Sequence, residues 1–174
     1  ERGECDPAGF RNRMLEAERR RLEAGGLSGP VIAAGSTGTV PATARLLATI
    51  ARLPNGAVVL PDLDEALPEP AWRAISGEPA PSHPQAALHH LLEVIGAGRD
   101  EVESLARPAE ALAARRDLLR QAMLPATVTD GWAGIAAAPG ADTALAGLRV
   151  VEAADEREEA LVAALALREA LERP

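Results

Sequence analysis

The residues best suited to chemistry are Gly35, Ser36, Thr37, Gly38 and Thr39, in the run VIAAGSTGTVPATARLL. They sit between an apolar stretch and a helix-forming one. Glycine lets a backbone approach a phosphate closely. The N-terminus of a helix offers unpaired N–H groups and a favourable dipole, and the three hydroxyls add donors. A nucleotide-hydrolysing loop has the form G-x-x-x-x-G-K-[ST]. This chain has no Lys, and all 18 of its basic residues are Arg. The Gly35–Gly38 spacing also differs from the G-x-G-x-x-G dinucleotide fingerprint. Two readings stand: a purely structural turn, or a backbone contact to a phosphate of DNA or of a nucleotide. Neither is an ATPase loop.

Other candidates are each set beside a plainer reading. Arg19, Arg20 and Arg21 form the densest positive run, either a solvated helix face or a DNA contact. Asp62, Asp64 and Glu65 follow a second apolar run, where carboxylates at strand ends often hold Mg²⁺. The plainer reading is an acidic, helix-capping loop. His83, His89 and His90 are the only histidines. His89 and His90 are adjacent on a helix and point apart, so they lack the i, i+4 spacing of a zinc helix, and no cysteine lies near them. The single cysteine, Cys5, excludes an internal disulfide and a cysteine-only metal site. Glu158 and Glu159, on a charge-rich last helix, are either a solvated face or a partner contact. No catalytic constellation and no metal set outweighs its structural reading.

These residues need elements to position them. With 174 residues the chain fits one domain or two small ones. Apolar residues make up 47% and aromatic residues 2%, so the core must be aliphatic and rich in Ala and Leu, which favour helices. The net charge of −8 argues against a free-standing nucleic-acid binder and leaves room only for a local Arg patch. No apolar run is long enough to span a membrane. The opening ERGECDPAG has no apolar signal core, which implies a cytoplasmic protein, and no initiator Met, as in a piece of a longer chain.

Asp6–Glu23 reads as a helix capped by Asp6, with Pro7 in its first turn and Phe10, Met14, Ala17 and Leu22 as an apolar stripe. Val31–Gly35 and Ala57–Pro61 read as buried strands, joined by a helix that Thr39 caps and that runs through Leu53. This is a βαβ unit with parallel strands. Pro61–Pro84 is loop-rich. Ser82–Gln85 has the form of a capping box opening a helix to Ile95. Helix is expected again near Arg107–Met123 and around Trp132, where Thr129 or Asp130 would cap it, with a loop over APGADTALAG. Leu148–Ala153 reads as a third strand, and Asp155 with Glu158 opens a helix to about Glu172.

Four stretches carry a family resemblance: PVIAAGSTGTVPATARLLATIARLPNGAVVLPDLD, SHPQAALHHLLEVIGAGRDEV, RRDLLRQAMLPATVTDGW and VVEAADEREEALVAALALREALE. In this order they resemble the N-terminal region of the AddB family of double-strand break repair proteins, in its alphaproteobacterial form, from about Asp6 to Glu172. The resemblance implies a helicase-like region without a working ATP site, consistent with the missing Lys. It also implies a role in scanning DNA beside the partner subunit AddA, within a helicase–nuclease that prepares broken ends for recombination. The family's nuclease and iron–sulfur cysteines lie elsewhere, and Cys5 matches none of them. Gly35 to Thr39 match the family's glycine turn, and Glu158 and Glu159 match the acidic pair opening its last helix. Where the family has Gly, this chain has Asp62.

The resulting expectation is an α/β fold, helix-rich, with a small mainly parallel sheet and flanking helices, like a P-loop helicase lobe without a Walker A motif. Residues 1–64 form the βαβ part, 65–147 a helical and loop-rich connecting region, and 148–174 the strand and helix beginning a next lobe. No cofactor, catalytic residue or metal is expected in the segment. Its partners would be AddA, DNA in the full complex, and no membrane. The rival is a stand-alone enzyme binding a nucleotide or sugar phosphate at the Gly35–Gly38 turn, with Mg²⁺ on Asp62 or Asp64. A third reading is an interaction module that grips AddA through the last helix.

Overall fold

A computed structural model describes residues 6–25, 28–76, 82–105, 112–137 and 140–173. Helix α1 (Pro7–Glu23) starts where Asp6 accepts hydrogen bonds from the amides of Ala8 and Gly9 at 2.9 and 3.0 Å. Strand β1 (Val31–Ala34), helix α2 (Pro41–Ala51) and strand β2 (Gly56–Val59) follow. The strands pair in parallel, Val31 opposite Gly56 through Ala34 opposite Val59. The described residues therefore form a helix-rich α/β fold with a two-stranded parallel sheet.

The centre of this unit is aliphatic. Ala44 and Leu47 of α2 pack against Leu91, with Ala33, Val58 and Leu60 from the sheet side and Val94 and Ile95 beside them. Leu91 belongs to α4 (Ala86–Ile95), which covers α2. Gly96 ends α4 at φ 83°, a conformation other residues avoid, and Arg52 at the end of α2 donates to the carbonyls of Val94 and Ile95. Gly56 has a steric role: a Cβ there would lie 1.9 Å from the Ile50 carbonyl oxygen.

A second cluster, Leu67, Ala71 and Ile75, is covered by Trp72, Leu124 and Val128. It joins α3 (Glu69–Ala74) to the irregular 3₁₀ run Ala126–Ala137, beside α5 (Ala113–Ala122) and α6 (Ala141–Leu145). Helix α7 (Glu156–Glu172) buries none of its residues. Among the described residues no helix is long and apolar enough to cross a membrane.

Several expectations need correcting. The strands are not buried on both faces, because two strands are covered by α2 on one side only. Ile32 is 64% exposed while its neighbours Val31 and Ala33 are half-buried. On α1 only Leu22 is buried, and Phe10 and Met14 face outward, since the helix meets α2 along its other face. The N-cap of α2 is Val40, not Thr39, and no side chain bonds to that terminus. The Ser82–Gln85 box does not form: the side chain of Gln85 is drawn away to bond Asp62 and Asp64. Thr129 donates its hydroxyl to the Ala126 carbonyl rather than capping a helix. The expected loop over residues 138–147 contains α6, and its residues 138 and 139 lie outside the described set. The helix expected from Arg107 is seen from Ala113, its first residues lying outside that set. Leu148–Ala153 joins no sheet, and Val150 and Val151 are exposed.

Candidate functional site

The Gly35–Thr39 turn lies where it was expected, between the end of β1 and the start of α2. The Gly35 amide donates to the Val59 carbonyl at 3.1 Å, extending the ladder by one rung. Gly35 and Gly38 have φ of 77° and 66°, in the region that favours glycine. Ser36 Oγ accepts the Gly38 N–H at 3.3 Å, closing a small turn on itself. Gly38 is buried, and a Cβ there would meet Leu91 Cδ1 at 2.9 Å. Gly35 has open space around it. Both glycines thus have structural reasons. What the turn leaves for a ligand is the uncapped N-terminus of α2 and the exposed Thr39.

The Arg19–Arg21 run is engaged within its own helix. Arg19 bonds Glu16 at 2.6 Å and also Glu23, and Arg21 bonds Glu18 at 2.6 Å. Arg20 lies 3.5 Å from Glu16 with 74% of its side chain exposed. The hydrogen bond from Arg19, then the nearby charges of Arg19, Arg20 and Arg45, hold the Glu16 carboxyl below its ordinary value. Arg21 lowers Glu18 in the same way, and Arg19 and Arg21 are raised in turn. Only Arg20 of the three remains largely free for an outside phosphate.

The acidic loop after β2 is held by its neighbours. Arg120 Nε reaches both Asp64 oxygens, at 2.8 and 3.0 Å, across 56 positions of sequence. This pairing raises the Arg120 guanidinium further. Gln85 accepts from the Asp64 amide and donates to the Asp62 carbonyl. Arg99 donates to the Leu67 carbonyl at 2.7 Å, and its guanidinium lies 4.7 Å over the Trp72 ring, which in turn contacts His89. His83 Nδ1 accepts the Gln85 N–H, and its buried Nε2 has no partner among the described residues. Asp62 has φ 51°, the only positive value at a non-glycine among the described residues. Asp64 is thus committed to Arg120. No group of three or more His, Cys, Asp or Glu among the described residues could hold a metal.

Glu158 is part of a cap: its carboxylate accepts the Ala154 N–H at 2.7 Å, and Asp155 accepts the Glu158 N–H at 2.8 Å. Glu159 is exposed on the first turn of α7. Beyond it, Leu161 and Leu165 lie one turn apart and are more than half exposed. The bonds from Arg120 to Asp64 and from Arg99 to the Leu67 loop had no signal in the sequence, because each spans more than thirty positions. In comparisons with known proteins, no family model, no curated protein and no solved structure matches this chain.

Proposed function

We propose that the chain is a non-catalytic, helicase-like segment of an AddB-type subunit, serving as scaffold and DNA-scanning element beside AddA in a complex that processes double-strand breaks for homologous recombination. The observation that carries this reading is helix α7 with the residues before it. Leu148, Val150, Val151, Leu161, Leu165, Leu167 and Leu171 are all exposed, and no residue of α7 is buried. Leu161 and Leu165, one turn apart on α7, offer a small exposed apolar face, which favours a protein partner. The four stretches of resemblance supply the partner's identity, AddA, and the missing Lys fits a lobe without ATPase chemistry.

In this reading the Gly35–Thr39 turn is structural first, and its helix terminus is open to a DNA phosphate in the full complex. The nucleotide-enzyme rival loses support because Asp64 is bound to Arg120 and Ser36 closes the turn. The partner interface shifts from the acidic pair towards Glu159, Leu161 and Leu165, since Glu158 has a capping role. Co-purification with AddA tests this. The wild-type chain should carry AddA through size exclusion, and the Leu161→Ser/Leu165→Ser variant should not. Absence of a wild-type complex would refute the reading.

A further inference from the structure

An open groove of about 450 Å³ runs between α1 and α2, lined by Asn12, Arg13, Glu16, Ala17, Arg20 and Arg45. Its lining holds three arginines and one carboxylate, Glu16. That carboxylate is already shared: Glu16 bonds Arg19 at 2.6 Å, with Arg20 at 3.5 Å and Arg45 at 3.9 Å. Arg13 makes no hydrogen bond or ion pair with any described residue. The side chains of Arg20 and Arg45 are 74% and 56% exposed. On a chain whose net charge is −8, this is a local surplus of positive charge.

Phe10, the only phenylalanine of the chain, lies on the same helix one turn before Arg13 and two turns before Ala17, so helical spacing puts it on the side of α1 that carries these two lining residues, outside the lining itself. It is 58% exposed. Arg13 and Arg20 are separated by two turns, about 10.5 Å along the axis, enough to meet more than one phosphate of a strand. A basic groove with an exposed aromatic ring on the same side of its helix is the combination that binds single-stranded nucleic acid: guanidinium groups follow the phosphates and the ring stacks on a base.

We infer that the α1–α2 groove binds the phosphodiester backbone of a single strand through Arg13, Arg20 and Arg45, with Phe10 stacking on a base. The inference deepens the reading above and rests on it only for DNA as the natural source of the strand. It moves the contact away from Arg19 and Arg21, which are paired within α1, to cations on two helices.

The test is fluorescence anisotropy of labelled oligothymidine with the 174-residue chain at low salt, with oligouridine and duplex DNA as parallel probes. Saturable oligothymidine binding is expected. Arg13→Gln/Arg45→Gln should weaken it about tenfold or more, and each guanidinium removed should lower the salt slope by about 0.7. Phe10→Ala should weaken it about fivefold or more on single strands and leave duplex binding unchanged. Glu16→Gln removes the groove's one carboxylate and should tighten binding. Arg157→Gln/Arg168→Gln, with the same charge change on α7, should have no effect.

No binding by the wild-type chain overturns the inference, as does an equal loss in the α7 control, which would mean net charge alone decides. Equal or tighter binding to duplex overturns the single-strand assignment, and tight binding to oligouridine alone overturns DNA as the source. A failure here leaves the AddA reading to stand or fall on co-purification.

Discussion

Gly35 and Gly38 make a controlled pair. Both have positive φ, 77° and 66°, so alanine at either position carries the left-handed backbone penalty of about 1–2 kcal/mol. Part of this is offset, by about 0.4–1 kcal/mol, because alanine stiffens the unfolded chain. Gly35→Ala should therefore cost about 1 kcal/mol or less. At Gly38 the new methyl also lies 2.9 Å from Leu91 Cδ1 and 3.3 Å from Cδ2. Leu91 is fully buried and held by Ala44 and Leu47, so it has little room to retreat. Overpacking of this kind costs about 1–3 kcal/mol, giving a total of about 1–4 kcal/mol for Gly38→Ala, above the loss at Gly35. Urea unfolding followed by far-ultraviolet circular dichroism measures both. A Leu91→Ala background supplies the missing space, so the double variant should lose less than the sum of the single losses. Equal losses at the two glycines, or strict additivity with Leu91→Ala, would refute the claim that Gly38 is there to make room for α4.

Further outcomes follow from other contacts. Gly56→Ala should cost about 3 kcal/mol or more by the same assay, because the Ile50 carbonyl 1.9 Å from the new methyl is backbone and cannot turn aside. Arg120→Ala should cost about 1–3 kcal/mol in urea unfolding, since it strips the half-buried Asp64 carboxylate of its charged donor and leaves it the Ala66 N–H at 3.2 Å. Asp155→Ala should lower helicity by circular dichroism while leaving the main unfolding midpoint unmoved, because none of the residues of α7 is buried among the described residues. Glu16 and Glu18 have lowered folded-state values, so the stability they add to α1 is present above their ordinary 4.5 and is lost as pH falls below it. Glu16→Gln/Glu18→Gln should flatten that acid-side loss of helicity, and an unchanged pH profile would refute it.

What the sequence made legible was local. Asp6 and Asp155 announce their helices because a cap and the amides it serves lie within three residues. The βαβ order was readable because apolar runs flank a helix that Pro41 opens and a turn that Asn55-Gly56 closes. Periodicity could not say how many elements would cover each face. The stripe Phe10, Met14, Ala17 and Leu22 reads as one apolar face although only Leu22 is buried, and VIAAG reads as a buried strand although Ile32 is exposed. Leu148–Ala153 has the composition of a strand but no strand beside it, and pairing rather than composition makes a ladder. The candidate turn was found from its glycines. The reason for Gly38 is Leu91, more than fifty positions away, and the cations of the groove come from two helices, so neither was visible in one stretch.

Helix α7 is joined to the body through residues that belong to no helix or strand. Its 17 residues make a rod of about 25 Å. A rod clamped along its length acts as a crank, turning whatever it is bolted to. One joined to its body through irregular backbone acts more as a tow line, passing on tension and almost no torque. A partner grasping this helix would keep the segment in place while leaving the βαβ body free to swivel and align with whatever passes along it.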